Sequence, residues 1–182
     1  PLMVGGVVYT SAGTRRSVIA VDAASGELRW VHGEPEGERG AAAPRQLSGR
    51  GVSYWTDGKD ERIFYVTPGF FLVALDAKTG SRIASFGDRG AIDLKAAAVY
   101  GTGQAIDKIN GEIGLHATPA IGGDTVMVGS AFREGHTPKT HNNTKGLVQA
   151  FDVRTGKRLW NFNTIPRPGE FGNDTWENDS WA

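Results

Sequence analysis

One seven-residue unit occurs three times along the chain, and it limits what the chain can fold into. Its copies are Ala20-Val21-Asp22-Ala23-Ala24-Ser25-Gly26, Ala74-Leu75-Asp76-Ala77-Lys78-Thr79-Gly80 and Ala150-Phe151-Asp152-Val153-Arg154-Thr155-Gly156. In each, an apolar strand ends on an aspartate whose side chain can cap turn N–H groups, and the glycine tolerates positive φ. An aromatic follows: Trp30, Phe86 and Trp160. The unit reads as a β-hairpin with a tight connection. Short β-branched or aromatic segments precede it: Val7–Thr10, Arg62–Val66 and Thr125–Val128. Further candidate strands, Met3-Val4 and Pro119–Ile121, stand before Gly5-Gly6 and Gly122-Gly123.

About four strands per repeat, with one turn motif each, is the signature of a radial β-propeller. The approximate units are residues 1–40, 41–95 and 118–165. Three such units do not close a ring, since propellers need about four blades or more. The chain opens on Pro1 and closes on a tryptophan-rich stretch, so it is expected to be a piece of a longer one. No segment shows the sustained 3.6-residue period of a helical protein.

Composition excludes several function classes. Lys plus Arg is 20 and Asp plus Glu is 20, giving a net charge of zero and no global footprint for nucleic acid. Cysteine is absent, which removes disulfides, thiolate metal sites and cysteine nucleophiles. No apolar run reaches the ~18 residues of a membrane helix. No phosphate-binding or dinucleotide-binding glycine motif is present. Two segments interrupt the repeat, residues 33–61 and 129–146, and long loops on a rigid scaffold are where function concentrates.

Three features together carry a family resemblance. The repeat resembles the tryptophan-docking repeat of pyrroloquinoline quinone (PQQ) dehydrogenases. Arg50-Gly51-Val52-Ser53-Tyr54-Trp55 is similar to their Arg-Gly-x-x-Tyr-Trp segment, and Glu170–Glu177 with Asp179-Ser180-Trp181 is similar to another stretch of them. The resemblance implies an all-β fold, here about three four-stranded antiparallel blades of an eight-bladed propeller. It implies PQQ near the propeller axis with a divalent cation, calcium or magnesium. It also implies oxidation of a sugar or an alcohol, with electrons passed to ubiquinone or a cytochrome. The catalytic aspartate of such an enzyme would belong to a blade beyond Ala182, so no catalytic residue is expected here.

Residue by residue, the resemblance places Arg50 against a PQQ carboxylate, a pairing that suits a bidentate guanidinium. The alternative is a surface arginine in a glycine-rich loop. Ser130, Ala131 and Phe132 would line the cofactor edge, and Glu134 would ligate the metal through a carboxylate oxygen; a solvated loop is the other reading of Glu134. His116 or Thr118 would supply a contact to a PQQ carboxylate. Trp55 would border the site or pack in the core. Trp30 and Trp160 would dock blades, with Phe86 in the equivalent role, and Trp176 and Trp181 would pack. His136, Lys139, His141 and Lys145 make the second loop basic, which reads as solvation more readily than as a metal site.

The methanol-oxidising members carry an adjacent cysteine pair where this chain has Pro44-Arg45-Gln46. That departure leans the reading toward the membrane-associated glucose-dehydrogenase-like branch. Such enzymes are periplasmic and anchored to the inner membrane by segments this chain does not include. The competing reading is a cofactor-free propeller scaffold for protein interactions, which has no reason to keep the Arg-Gly-Val-Ser-Tyr-Trp segment.

Overall fold

The computed structural model describes residues 1–13, 16–47, 50–115, 117–132 and 142–181. Strands β1 (Leu2–Val4), β2 (Val7–Ala12), β3 (Ser17–Asp22) and β4 (Leu28–His32) form one sheet. Strands β5 (Ser53–Thr56), β6 (Glu61–Val66), β7 (Phe71–Asp76) and β8 (Ala91–Asp93) form a second. Strands β9 (Ala120–Gly122), β10 (Thr125–Val128), β11 (Leu147–Asp152) and β12 (Arg158–Asn163) form a third. Each is an antiparallel meander, and β5 lies beside β9. The sheets are three adjoining blades of a β-propeller, with β1, β5 and β9 as their first strands.

Burial explains the strand sequences. The side chains of a strand alternate between two faces. On β6, Ile63 and Tyr65 point toward the first blade and pack with Val7, Tyr9, Val18 and Ala20. Phe64 and Val66 point toward the third blade and pack with Val126, Val128, Leu147 and Phe151. Both faces of the central blade are covered, so β6 and β7 are apolar almost throughout. On β2 only alternate residues are fully buried, because one face has no neighbour among the described residues.

The three repeat turns share one geometry. The carboxylate of Asp22 accepts the amides of Ala24 and Ser25, both at 3.0 Å. Asp76 accepts those of Lys78 and Thr79 at 2.9 and 2.8 Å, and Asp152 those of Arg154 and Thr155 at 3.1 and 2.7 Å. The glycine amide then closes on the aspartate carbonyl at 2.9 Å in all three. Gly26, Gly80 and Gly156 have φ of 76°, 72° and 72°, a region L-residues avoid. A related turn, without the left-handed glycine, lies between the second and third blades. Asp107 accepts the amides of Ile109 and Asn110 at 2.9 and 2.6 Å, and Gly111 closes it. Its sequence, Ala105-Ile106-Asp107-Lys108-Ile109-Asn110-Gly111, is the repeat with asparagine in place of Ser/Thr.

The blade junctions differ. Trp30 docks on the second blade: its indole N–H donates to the carbonyl of Ala77 at 3.0 Å, and its ring covers Gly80. Phe86 does not play this part at the next junction. A turn in which Gly90 N–H bonds the Phe86 carbonyl aims the ring inward, 5.5 Å from Phe64 and edge-on. Gly156 instead meets the backbone of Gly87, whose amide donates to the Thr155 carbonyl at 2.9 Å. Arg62 adds donations to the carbonyls of Val153 and Arg154 at 2.9 and 2.8 Å. Trp160 occupies the Trp30 position of the third blade, opposite Ala150 as Trp30 is opposite Ala20, and is 44% exposed. Trp176 is exposed as well.

A strap, residues 33–47, crosses from the first blade to the second. Short helix α1 (Gly37–Ala41) lies within it. Glu36 fixes it to the β6–β7 turn, accepting from Thr67 Oγ1 and from the Gly69 amide. Arg39 forks onto Asp93 and stacks 3.9 Å over Phe71. Burial raises the Glu34 carboxyl, but His32 at 2.6 Å and Arg82 outweigh it and hold it down at about 2.

Two outcomes follow for stability. A Cβ at Gly80 would stand 2.5 Å from the Trp30 ring, whereas one at Gly26 would meet nothing within 4 Å. Gly80→Ala should cost about 2–4 kcal/mol, left-handed strain plus overpacking, and Gly26→Ala only the strain, ~1 kcal/mol, by chemical denaturation. Because the folded carboxyl of Glu34 lies below its ordinary value, its contribution is present at neutral pH and is lost as pH falls from about 4.5 toward about 2. Glu34→Gln should flatten the stability–pH curve across that interval.

Candidate functional site

The loops entering β5 and β9, leaving β10 and joining β2 to β3 lie at one end of the sheets. The antiparallel registers require this: Leu2 pairs with Tyr9, Ser53 with Phe64 and Ala120 with Met127. The start of each first strand therefore stands beside the end of the second. Two links bring the second and third blades together here. Ser53 Oγ donates to the Pro119 carbonyl, and Gly51 is packed so tightly on Thr118 that a Cβ would fall 1.8 Å from its hydroxyl oxygen. Only glycine fits there.

Arg50 precedes that glycine and is exposed. Its Nη2 donates to the Gly13 carbonyl at 2.7 Å, and its own carbonyl accepts from Ser11 Oγ. The first blade thus holds the arginine twice, through Ser11 at the end of β2 on its backbone and through Gly13 of the β2–β3 loop on its side chain. Arg50 makes no ion pair with a described carboxylate. Thr118 is exposed on the neighbouring strand entry. On the third blade, Ser130 Oγ accepts the Leu147 amide at 2.9 Å, which leaves its hydroxyl proton to donate elsewhere. Ala131 exchanges backbone bonds of 2.8 and 3.0 Å with Gly114. Among the described residues nothing stands within 4 Å of the Cβ position of Gly129, so on their side the backbone beside Ser130 is open to a flat ligand.

The structure therefore brings Arg50, Thr118, Ser130 and Ala131 to one end of the blades. It sets Trp55 apart. That ring is 5% exposed, its N–H donates to Asp124 in the β9–β10 turn at 3.2 Å, and Arg62 and Arg154 lie over it at 5.6 and 4.7 Å. The β9–β10 turn is at the opposite end of the blade, so Trp55 is a packing residue of the lower junction rather than a border of the Arg50 end. The reason is its place along β5: Trp55 pairs with Arg62 near the β5–β6 turn, and alternation puts its ring on the buried face. His116 and Glu134, with His136, Lys139 and His141, lie outside the described residues. Among the described residues no cluster of three or more His, Asp or Glu is arranged to hold a metal.

Sequence reasoning missed two arginines at this end. Arg16, 1% exposed, donates to the Val66 carbonyl at 3.1 Å and to the Arg45 carbonyl. Arg45 in turn donates to the Phe132 carbonyl. The signal for Arg45 was its place in the strap just ahead of the Arg-Gly segment; nothing in the sequence marks Arg16 off from its neighbour Arg15.

A propeller end that gathers a guanidinium with no ion pair among the described residues, hydroxyls and open backbone is suited to a polar, anionic, planar ligand. The whole chain, residues 1–182, matches the family model described as the glucose/ethanol/alcohol dehydrogenase β-propeller domain, PQQ type. The chain belongs to that family. It is 32% identical over 168 residues to quinohemoprotein alcohol dehydrogenase ADH IIB of Pseudomonas putida, with 91% of this chain and 20% of the relative covered. It is 30% identical over 176 residues to the quinoprotein glucose dehydrogenase of Gluconobacter oxydans, with 88% and 20% covered. The solved structure of quinohemoprotein alcohol dehydrogenase ADHIIG from Pseudomonas putida HK5 superposes with a TM-score of 0.64 at 28% identity, over 91% of this chain and 20% of that one. The chain spans about a fifth of the length of the curated relatives it matches.

The Gly51–Thr118 contact is testable by itself. Gly51→Ala should lower the thermal midpoint, and adding Thr118→Gly should recover most of the loss. Additive losses in the double variant would mean that the two residues do not meet.

Proposed function

We propose that this chain supplies three blades of a PQQ-dependent dehydrogenase that oxidises a sugar or an alcohol, with Arg50 as a cofactor ligand. The observation that carries the reading is Arg50 itself, exposed, held at both ends by Ser11 and Gly13 of the first blade and free of any described carboxylate. PQQ is a planar tricarboxylate, and a guanidinium with unfilled donors is the matching group. Thr118 and Ser130 offer hydroxyls on the flanking blade, and the open Gly129 backbone accommodates a flat ring. The residues present fit the group.

When bound, PQQ supplies the two-electron acceptor for oxidation of a hydroxyl carbon to a carbonyl. This chain's part is to bind and orient. Arg50 neutralises a carboxylate, the Gly51–Thr118 contact fixes the spacing of two blades beneath it, and Ser130 and Ala131 form the facing wall. Glu134 is assigned as a ligand to a calcium or magnesium ion, and His116 as a further contact. The base that takes the hydroxyl proton is assigned to another blade of the parent protein. Electrons pass from there to ubiquinone or a cytochrome, on the periplasmic side of the inner membrane. A substrate nearer to glucose than to methanol is supported by Pro44-Arg45-Gln46 in place of a cysteine pair.

The parent protein with calcium is expected to reduce an artificial dye only after PQQ is added. Arg50→Ala should weaken PQQ binding, followed by fluorescence titration, by about 1.5–3 kcal/mol, the scale of a hydrogen bond to a charged group. Unchanged affinity would remove Arg50 from the site. A parent protein that binds no PQQ would point to a cofactor-free scaffold.

A further inference from the structure

At the end of the blades that carries Arg50, two guanidiniums form a chain across all three blades. Arg16 leaves the first blade where β3 begins. Its Nη1 donates to the carbonyl of Val66, the last residue of β6 in the second blade, at 3.1 Å, and its Nη2 donates to the carbonyl of Arg45 in the strap. The Arg45 side chain continues the line to the carbonyl of Phe132, beyond β10 in the third blade. Its Cβ and Cγ lie 3.0 and 3.1 Å from where a Cβ on Gly114 would stand, and Gly114 is bonded both ways to Ala131.

We infer that Arg16 and Arg45 are positioning residues that set the separation between the Arg50 arm and the Ser130–Ala131 arm of the cofactor site. The inference rests on the cofactor reading above.

Three observations support it. First, the strap that Arg16 grips leads directly into Arg50, and the Arg16 amide also reaches Gly13, 3.4 Å away, whose carbonyl accepts from Arg50. The relay and the ligand arm therefore share an anchor. Second, Arg16 is 1% exposed, and its Nε has no hydrogen-bond partner among the described residues. Its side chain makes no ion pair with a described carboxylate. A charge buried on carbonyls alone is costly and is unusual for a merely structural arginine. Third, burial lowers the Arg16 guanidinium to about 10, and the Arg50 charge pushes in the same direction while Glu36 opposes. A carboxylate bound at Arg50 would relieve that repulsion, so the buried cation favours an anionic ligand without touching it. Neutral hydrogen-bonding residues could bridge the same carbonyls but would not add this charge.

The test uses the full-length parent protein with Arg16→Met, Arg45→Met, the double variant, and Arg45→Lys. Lysine keeps the charge and lacks the forked reach to Phe132. Hydrogen–deuterium exchange of the cofactor-free protein should quicken in peptides spanning 112–115 and 128–132 in every variant, Arg45→Lys included, with 147–152 unchanged. PQQ affinity should fall about tenfold in each methionine variant, the size of effect seen when support residues behind ligands are removed. The double variant should be no weaker than the weaker single, because one relay is broken only once. Unchanged exchange at 128–132 overturns the relay, as does a double-variant loss equal to the product of the single losses. Should Arg16→Met not fold, the two Arg45 variants decide the same question. A wild-type protein that binds no PQQ overturns the cofactor reading, and the exchange data then judge the relay alone.

Discussion

The architecture depends on a carboxylate folded back on its own turn. Asp22, Asp76 and Asp152 each satisfy two amides that a two-strand connection would otherwise leave bare, and each holds a glycine in the left-handed region. The left-handed glycine makes a flat, side-chain-free patch on the edge of the blade. An indole or a backbone strand from the preceding blade can then lie directly on it. Without the aspartate cap the patch would not be rigid, and without the glycine it would not be flat. Blade stacking follows from that local choice, and the shared end of the blades follows from the stacking.

Much of the fold was legible because the repeat is a mechanism as well as a pattern. Asp, Ser/Thr and Gly at fixed offsets dictate a turn, and the period-2 apolar segments around it dictate strands. Phe86 was misread because only its order after the repeat was visible. The hydrogen-bonded turn that swings it inward depends on Gly90 and on a short outer strand, neither of which the repeat encodes. The Asp107 turn escaped notice for the opposite reason: its residues fit the rule, but asparagine stands for Ser/Thr and no long strand flanks it.

The site was legible where chemistry and motif coincided and obscure where they did not. Arg50 and Thr118 stand beside a glycine whose necessity is a matter of contact distance, and the Arg-Gly segment announced them. Trp55 lay in the same segment but belongs to the other end, because five residues of extended chain carry a side chain about 16 Å along a strand. Arg16 and Arg45 could not be found by motif. Their partners are backbone carbonyls, which carry no sequence signal.

The two blade junctions are joined by different materials, and they answer to different solvents. Between the first and second blades the joint is an indole on glycine over an apolar layer, which structure-making salts tighten and cold loosens, with the strap's Glu34–Arg82 and Arg39–Asp93 pairs at its rim. Between the second and third an apolar layer is joined at its edge by Arg154, which pairs with Asp124 of its own blade and reaches Asp57 of the second, all partly open to water. Such pairs weaken as ions screen them. Raising the ionic strength therefore strengthens the apolar layer of each joint while it erodes the charged rim, so the blades have no single weakest seam: which one opens first is decided by the medium.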